Sequence, residues 1–202
     1  MTHATAILLC LLASLLELDT TYAFQTLLSR PIIAGPIFGL CTGDAMAGLQ
    51  VGIFAELLFC DISPLGGVIP PSGVVLVTIS LLLHAMGIEL YFSFFVGVLA
   101  AILYSFLDAL LRKSRVTWMV FVEKKITRHP SDLKRTIAGA LLLSFSMTFI
   151  FLSVSIWATS QIIFWLFPYL TPKIHFAFHL AYTAVPWIGL ATLIPAFRFK
   201  AR

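Results

Sequence analysis

The chain has 202 residues, of which 60% are hydrophobic and only 11% charged, and its mean hydropathy is +1.01. Soluble domains average about half apolar and about a quarter charged residues, so a water-soluble globule is excluded. The net charge of +4 is clustered beside apolar runs, which argues for basic segments flanking membrane spans and against nucleic-acid binding.

Apolar runs of about 18 residues or more read as spans, and these runs do not alternate in the manner of barrel strands. The expected fold is therefore an all-α integral membrane protein, a multi-span bundle whose N-terminal third holds Gly/Pro-broken or re-entrant helices. Residues 1–28 form a first helix interrupted by Glu17 and Asp19. Its apolar run is short enough for a signal peptide, but no Lys or Arg precedes it, and it is read as the first membrane helix.

Residues 30–73 carry Pro31, Pro36, Pro64, Pro70 and Pro71 among closely spaced glycines. Gly35, Gly39 and Gly43 are four apart, as are Gly48 and Gly52, a spacing that lets helix backbones approach closely. Prolines break regular spans, and irregular backbone survives at membrane depth only inside protein or along a cavity, which is the anatomy of a transporter. Residues 74–111 are too long for one span and read as a helical hairpin hinged at Gly87-Ile88-Glu89.

A basic loop over 112–136 follows, part of which can lie amphipathically on the membrane surface or simply be solvated. It holds eight of the thirteen Lys and Arg residues, and Arg198, Lys200 and Arg202 end the chain. Both segments are expected on the cytoplasmic side. Residues 137–197 form a C-terminal hairpin, with spans over about 137–166 and 175–197 and a turn from Pro168 to Pro172.

Ionisable residues inside apolar segments are costly, about 2.5–3.5 kcal/mol for Asp on insertion scales, and mark functional sites. Asp44 and Glu56 bracket the segment GDAMAGLQVGIFAE, and both are candidates for ligand binding; Asp44 can alternatively cap the next helix. Glu89 and Asp108 read as interfacial, structural groups. Cys10, Cys41 and Cys60 have no metal-site spacing and read as buried, inert thiols. His175 and His179 are four apart but lack a third ligand nearby, so no metal is expected. No Ser-His-Asp set, Cys-His set or P-loop can be assembled, so the chain is not expected to be catalytic on its own or to bind a cofactor.

Arg30, Pro31, Gly39, Gly43, Asp44, Gly48, Gly52, Glu56, Gly66 and Pro71 occur in one order within some 42 residues. This stretch resembles the IIC subunit of the mannose/fructose/sorbose family of bacterial phosphotransferase-system (PTS) sugar permeases. Beyond Pro71 the resemblance continues as hydropathy. It implies a sugar-translocating subunit in the bacterial cytoplasmic (inner) membrane, working in a hetero-oligomer with a IID membrane subunit. Cytoplasmic IIA and IIB phosphocarriers would phosphorylate the hexose or amino sugar during uptake. It also places Glu56, Asp44, Asp61, Gly66 and Pro71 around the sugar and gives Arg30 and Pro31 structural or ion-pairing roles. The chain departs from the family at Cys60-Asp61 and Pro71-Ser72, and the family pattern adds a further hydrophobic hairpin after the position of Arg202. These departures support an alternative, a non-transporting membrane subunit or scaffold of the same fold.

Overall fold

The computed structural model describes residues 3–21, 25–62, 69–128, 133–166 and 171–198. These form α1 (His3–Thr21), α2 (Pro31–Thr42), α3 (Ala45–Phe59), α4 (Gly73–Ala85), α5 (Leu90–Arg128), α6 (Leu133–Leu166) and α7 (Pro172–Arg198). Among the described residues, Leu90–Val116, Leu133–Ile163 and Pro172–Ile194 are long and apolar enough to cross a bilayer.

The glycine- and proline-rich region is a hairpin of two half-length helices. Pro31 starts α2 at a position whose missing N–H costs nothing. Gly43, at φ 92°, stops it, and the Asp44 N–H returns to the Gly39 carbonyl at 2.9 Å. Asp44 then caps α3, its carboxylate accepting from the Ala47 N–H at 2.9 Å. The glycine spacing seals the two arms. A Cβ at Gly48 would stand 2.7 Å from Gly39 Cα, and one at Gly39 would stand 2.8 Å from Gly48 Cα. Backbone lies directly on backbone, as small-residue helix interfaces allow.

α4 is the centre of the bundle. Every residue from Val74 to Leu83 is buried, which is what a helix apolar on all sides requires. It packs against α1, α2, α3, α5 and α6. Its end is a Schellman turn at the expected hinge: the Gly87 N–H donates to the His84 carbonyl at 2.9 Å and the Ile88 N–H to the Leu83 carbonyl at 3.3 Å. The chain turns back there into α5.

The main difference from expectation lies in the basic segment. Residues 112–128, read as loop from their charge, continue α5 without a break. At about 1.5 Å per residue this 39-residue helix is about 58 Å long, against a hydrocarbon core of about 30 Å. No Gly or Pro occurs from Val98 to His129, so nothing in the sequence stops the helix. The thiols differ too. Cys10 is buried, but Cys41 and Cys60 are exposed because they sit at the ends of short helices.

Contacts between helix ends define two poles. Glu17, Arg30, Glu56, Ser72, Asp108 and Arg112 gather at one, and Asp44, His84, Tyr91 and His175 lie toward the other. Large apolar side chains on α6 and α7 face outward between the poles, among them Leu142, Ile150, Trp157, Leu180, Trp187 and Ile188. A belt of this kind is stable only against lipid or another membrane protein. Inside it, the Tyr104 hydroxyl meets Thr148 Oγ1 at 2.8 Å and ties α5 to α6. Tyr104→Phe removes this bond while Thr148 Oγ1 keeps its own to the Ser144 carbonyl at 3.0 Å, and it is expected to cost about 0.5–1.5 kcal/mol, read as a lowered melting temperature in detergent.

Candidate functional site

A cleft of about 1000 Å³ opens at the Arg30 pole. It is lined by the ends of α1 and α3, the middle of α5, the starts of α2 and α4, and the segments before them, including Glu17, Asp19, Arg30, Pro31, Glu56, Phe59, Pro71, Ser72, Tyr104, Asp108 and Arg112. The volume is at the upper end of the range of about 300–1,000 Å³ usual for small-molecule sites.

Glu56 is in the last turns of α3, and Arg30 immediately precedes α2. Closure of the hairpin brings them together: Arg30 Nη1 donates to Glu56 Oε1 at 3.1 Å. Arg30 therefore pairs with a carboxylate, and its side chain makes no cap to α2. Glu56 Oε2 is buried and has no hydrogen-bond partner among the described residues. Pro31 braces the same corner, its ring lying where a Cβ on Gly73 would go, so the starts of α2 and α4 are locked side by side.

Asp44 is elsewhere. As the cap of α3 it stands about 18 Å from Glu56, the length of a twelve-residue helical separation. There it borders a smaller cavity of about 420 Å³ with Gln50, Phe54 and His84, and His84 Nε2 approaches its Oδ2 at 3.6 Å. Asp61 is exposed in the turn after α3 and does not line the cleft, whereas Pro71 does. Gly66 lies outside the described residues.

Two groups in the cleft went unremarked as site residues in the sequence. Glu17 on α1 is buried and accepts from Ser72 Oγ at 2.7 Å; Ser72 Oγ in turn accepts from the Val75 N–H and caps α4. Asp19 is also buried, and its carboxylate accepts from the Thr26 N–H and hydroxyl and from the Ser29 N–H. These bonds hold a turn in which Gln25 and Leu27 adopt positive φ, a strained state for a bulky side chain, just before Arg30. The usable signal was the cost of acidic residues in an apolar run. Asp108 is tied to Arg112 at 2.8 Å one helical turn on. At the opposite pole, the Tyr91 hydroxyl bonds His175 Nδ1 at 2.9 Å, and Tyr91 meets the His179 ring edge-on. Among the described residues no three His, Cys, Asp or Glu side chains converge as metal ligands.

The fold and the charged cleft define a multi-pass helical membrane protein with a polar chamber at one end. Residues 3–200 match the family described as the PTS system sorbose-specific IIC component, and the chain belongs to that family. It is accordingly a multi-pass protein of the inner membrane. Among curated proteins it is similar to the "Putative N-acetylgalactosamine permease IIC component 2" of Escherichia coli (strain K12), at 36% identity over 50 residues. That match covers 25% of this chain and 38% of the relative's length. A solved structure described as "Structure of membrane protein" superposes with a TM-score of 0.79 at 18% identity, covering 98% of this chain and 81% of the other, and shares its fold.

Proposed function

We propose that this chain is the sugar-translocating membrane subunit of a mannose-family PTS, acting with a IID-type membrane subunit and with cytoplasmic IIA and IIB phosphocarriers. The observation that best supports this is the cleft at the Arg30 pole, where Glu56 is held by Arg30 through one oxygen and keeps the other unpartnered. An ionised carboxylate held in this way is a strong acceptor for a sugar hydroxyl. Phe59 and Tyr104 add apolar surface for a pyranose face. In this reading the chain binds the sugar and exposes it, and phosphoryl transfer belongs to the soluble partners.

The cleft is bordered by Arg112 and Lys113, at the start of the basic segment. By the positive-inside rule this pole is cytoplasmic, so the chamber opens toward the phosphocarriers. With the three native cysteines replaced, a cysteine at position 124 is expected to resist an impermeant maleimide added to intact cells, and one at position 88 is expected to react. Rapid labelling at 124 would reverse the orientation.

Reconstitution tests the function itself. The chain co-purified with its IID partner is expected to bind L-sorbose, D-mannose, D-fructose or N-acetylgalactosamine in equilibrium dialysis. Loss of binding when Glu56 is changed, with folding intact, supports the site. Absence of binding to any of the four sugars would favour the non-transporting alternative.

A further inference from the structure

Four acidic side chains line the cleft, and their hydrogen bonds divide them. Asp19 is used up by the turn before Arg30, one oxygen taking two donors and the other taking a third. Asp108 is engaged by Arg112. Glu56 and Glu17 differ from both. Each is anchored through one oxygen, Glu56 by Arg30 and Glu17 by Ser72, and each leaves its second oxygen without a hydrogen bond from the described residues.

Glu17 has no structural need for this arrangement. Ser72 caps α4 through the Val75 N–H whether or not its own hydroxyl proton is taken. A glutamine could accept that proton equally well, without burying a charge in a membrane helix. The carboxylate nevertheless lies on the cleft wall, on a different helix from Glu56, and both walls converge where α1, α2 and α4 meet around Pro31, Ser72 and Gly73.

We infer that Glu17 is a second sugar-binding carboxylate, accepting a hydroxyl of the monosaccharide through Oε1 while Ser72 fixes its Oε2. The inference rests on the sugar-binding reading of the cleft. Two half-anchored acceptors on separate helices fix a pyranose at two hydroxyls, which sets its orientation, whereas one acceptor leaves it free to rotate. The anchoring differs in kind: Arg30 is a cation in an open position, and Ser72 is a neutral hydroxyl at a helix start. Glu17 thereby couples α1 and the start of α4 to the occupancy of the site.

Glu17→Gln retains an acceptor for Ser72 and is expected to bind the sugar at least about tenfold more weakly than the unaltered complex, with unchanged membrane abundance and melting temperature. A monodeoxy analogue lacking the hydroxyl that Glu17 accepts is expected to bind the unaltered complex and Glu17→Gln alike while the parent sugar distinguishes them, whereas a Glu17 acting only through the fold would weaken both sugars together. Unchanged affinity in Glu17→Gln, beside reduced affinity in Glu56→Gln, would overturn the inference and leave the sugar site standing. No binding of any sugar tested by the unaltered complex would overturn both. Should Glu17→Gln fail to accumulate, Glu17→Cys in a cysteine-free background provides the second measurement. Saturating sugar is expected to slow its alkylation by a permeant maleimide several-fold, and no protection would overturn the inference.

Discussion

Gly48→Leu is expected to remove the folded protein from the membrane. A Cβ at this position would stand 2.7 Å from Gly39 Cα and 2.9 Å from Gly39 N, and it would also press on the Gly35 carbonyl oxygen. These are backbone atoms of the opposite arm and cannot swing aside as a side chain does. Overpacking a core with flexible neighbours costs about 1–3 kcal/mol. Here Gly48→Ala already belongs at or above the top of that range, and leucine forces α2 and α3 apart along their length. The damage reaches the cleft, because closure of the hairpin is what brings Arg30 to Glu56. Gly43→Ala is the control. A Cβ there meets nothing within 4 Å, but the residue sits at φ 92°, so the substitution costs only the left-handed strain of about 1–2 kcal/mol. Membrane abundance and thermal unfolding of the detergent-solubilised protein separate the two. Gly48→Leu with unaltered abundance and melting would mean that the hairpin is not sealed by its glycines.

The close contact of α2 and α3 was legible from the four-residue glycine spacing alone, because only glycine permits that approach and the spacing places it on one helix face. The hinge between α4 and α5 was legible for a similar reason: the largely apolar 38-residue run from 74 to 111 exceeds one span, and Gly87, two residues before the charged Glu89, takes positive φ without strain. Other features were hidden by what sequence proximity does not encode. Asp44 and Glu56 bracket one segment, and the resemblance places both around the sugar, yet the segment is a helix, and a helix holds its two ends apart. Charge in residues 112–128 suggested a loop, although helix propensity there is undisturbed and charge only locates the water. Glu17 depends on Ser72, 55 positions away, a contact that exists only after α4 has docked against α1.

Glu56→Gln is expected to weaken sugar binding by about ten- to a hundredfold. The substitution keeps the size of the side chain and replaces a charged acceptor by a neutral amide, and charge-assisted hydrogen bonds contribute about 1.5–3 kcal/mol net. Stability is expected to change little. The Arg30 side chain is 59% exposed and that of Glu56 27%, and ion pairs this open to solvent contribute about 0–1 kcal/mol. Affinity and abundance measured together on the complex with its IID partner therefore distinguish a binding residue from a structural one. Reduced abundance with intact affinity per folded molecule would assign Glu56 to the fold. Arg30 supplies the finer test. If its task is to hold Glu56 through Oε1 and so fix the carboxylate's orientation, Arg30→Gln weakens binding only while the Glu56 carboxylate is present. The double variant Arg30→Gln/Glu56→Gln is then expected to bind no more weakly than Glu56→Gln alone, a non-additivity that marks two residues acting through one contact. Additive losses would instead mean that the Arg30 guanidinium touches the sugar itself, donating to a hydroxyl that Glu56 does not reach.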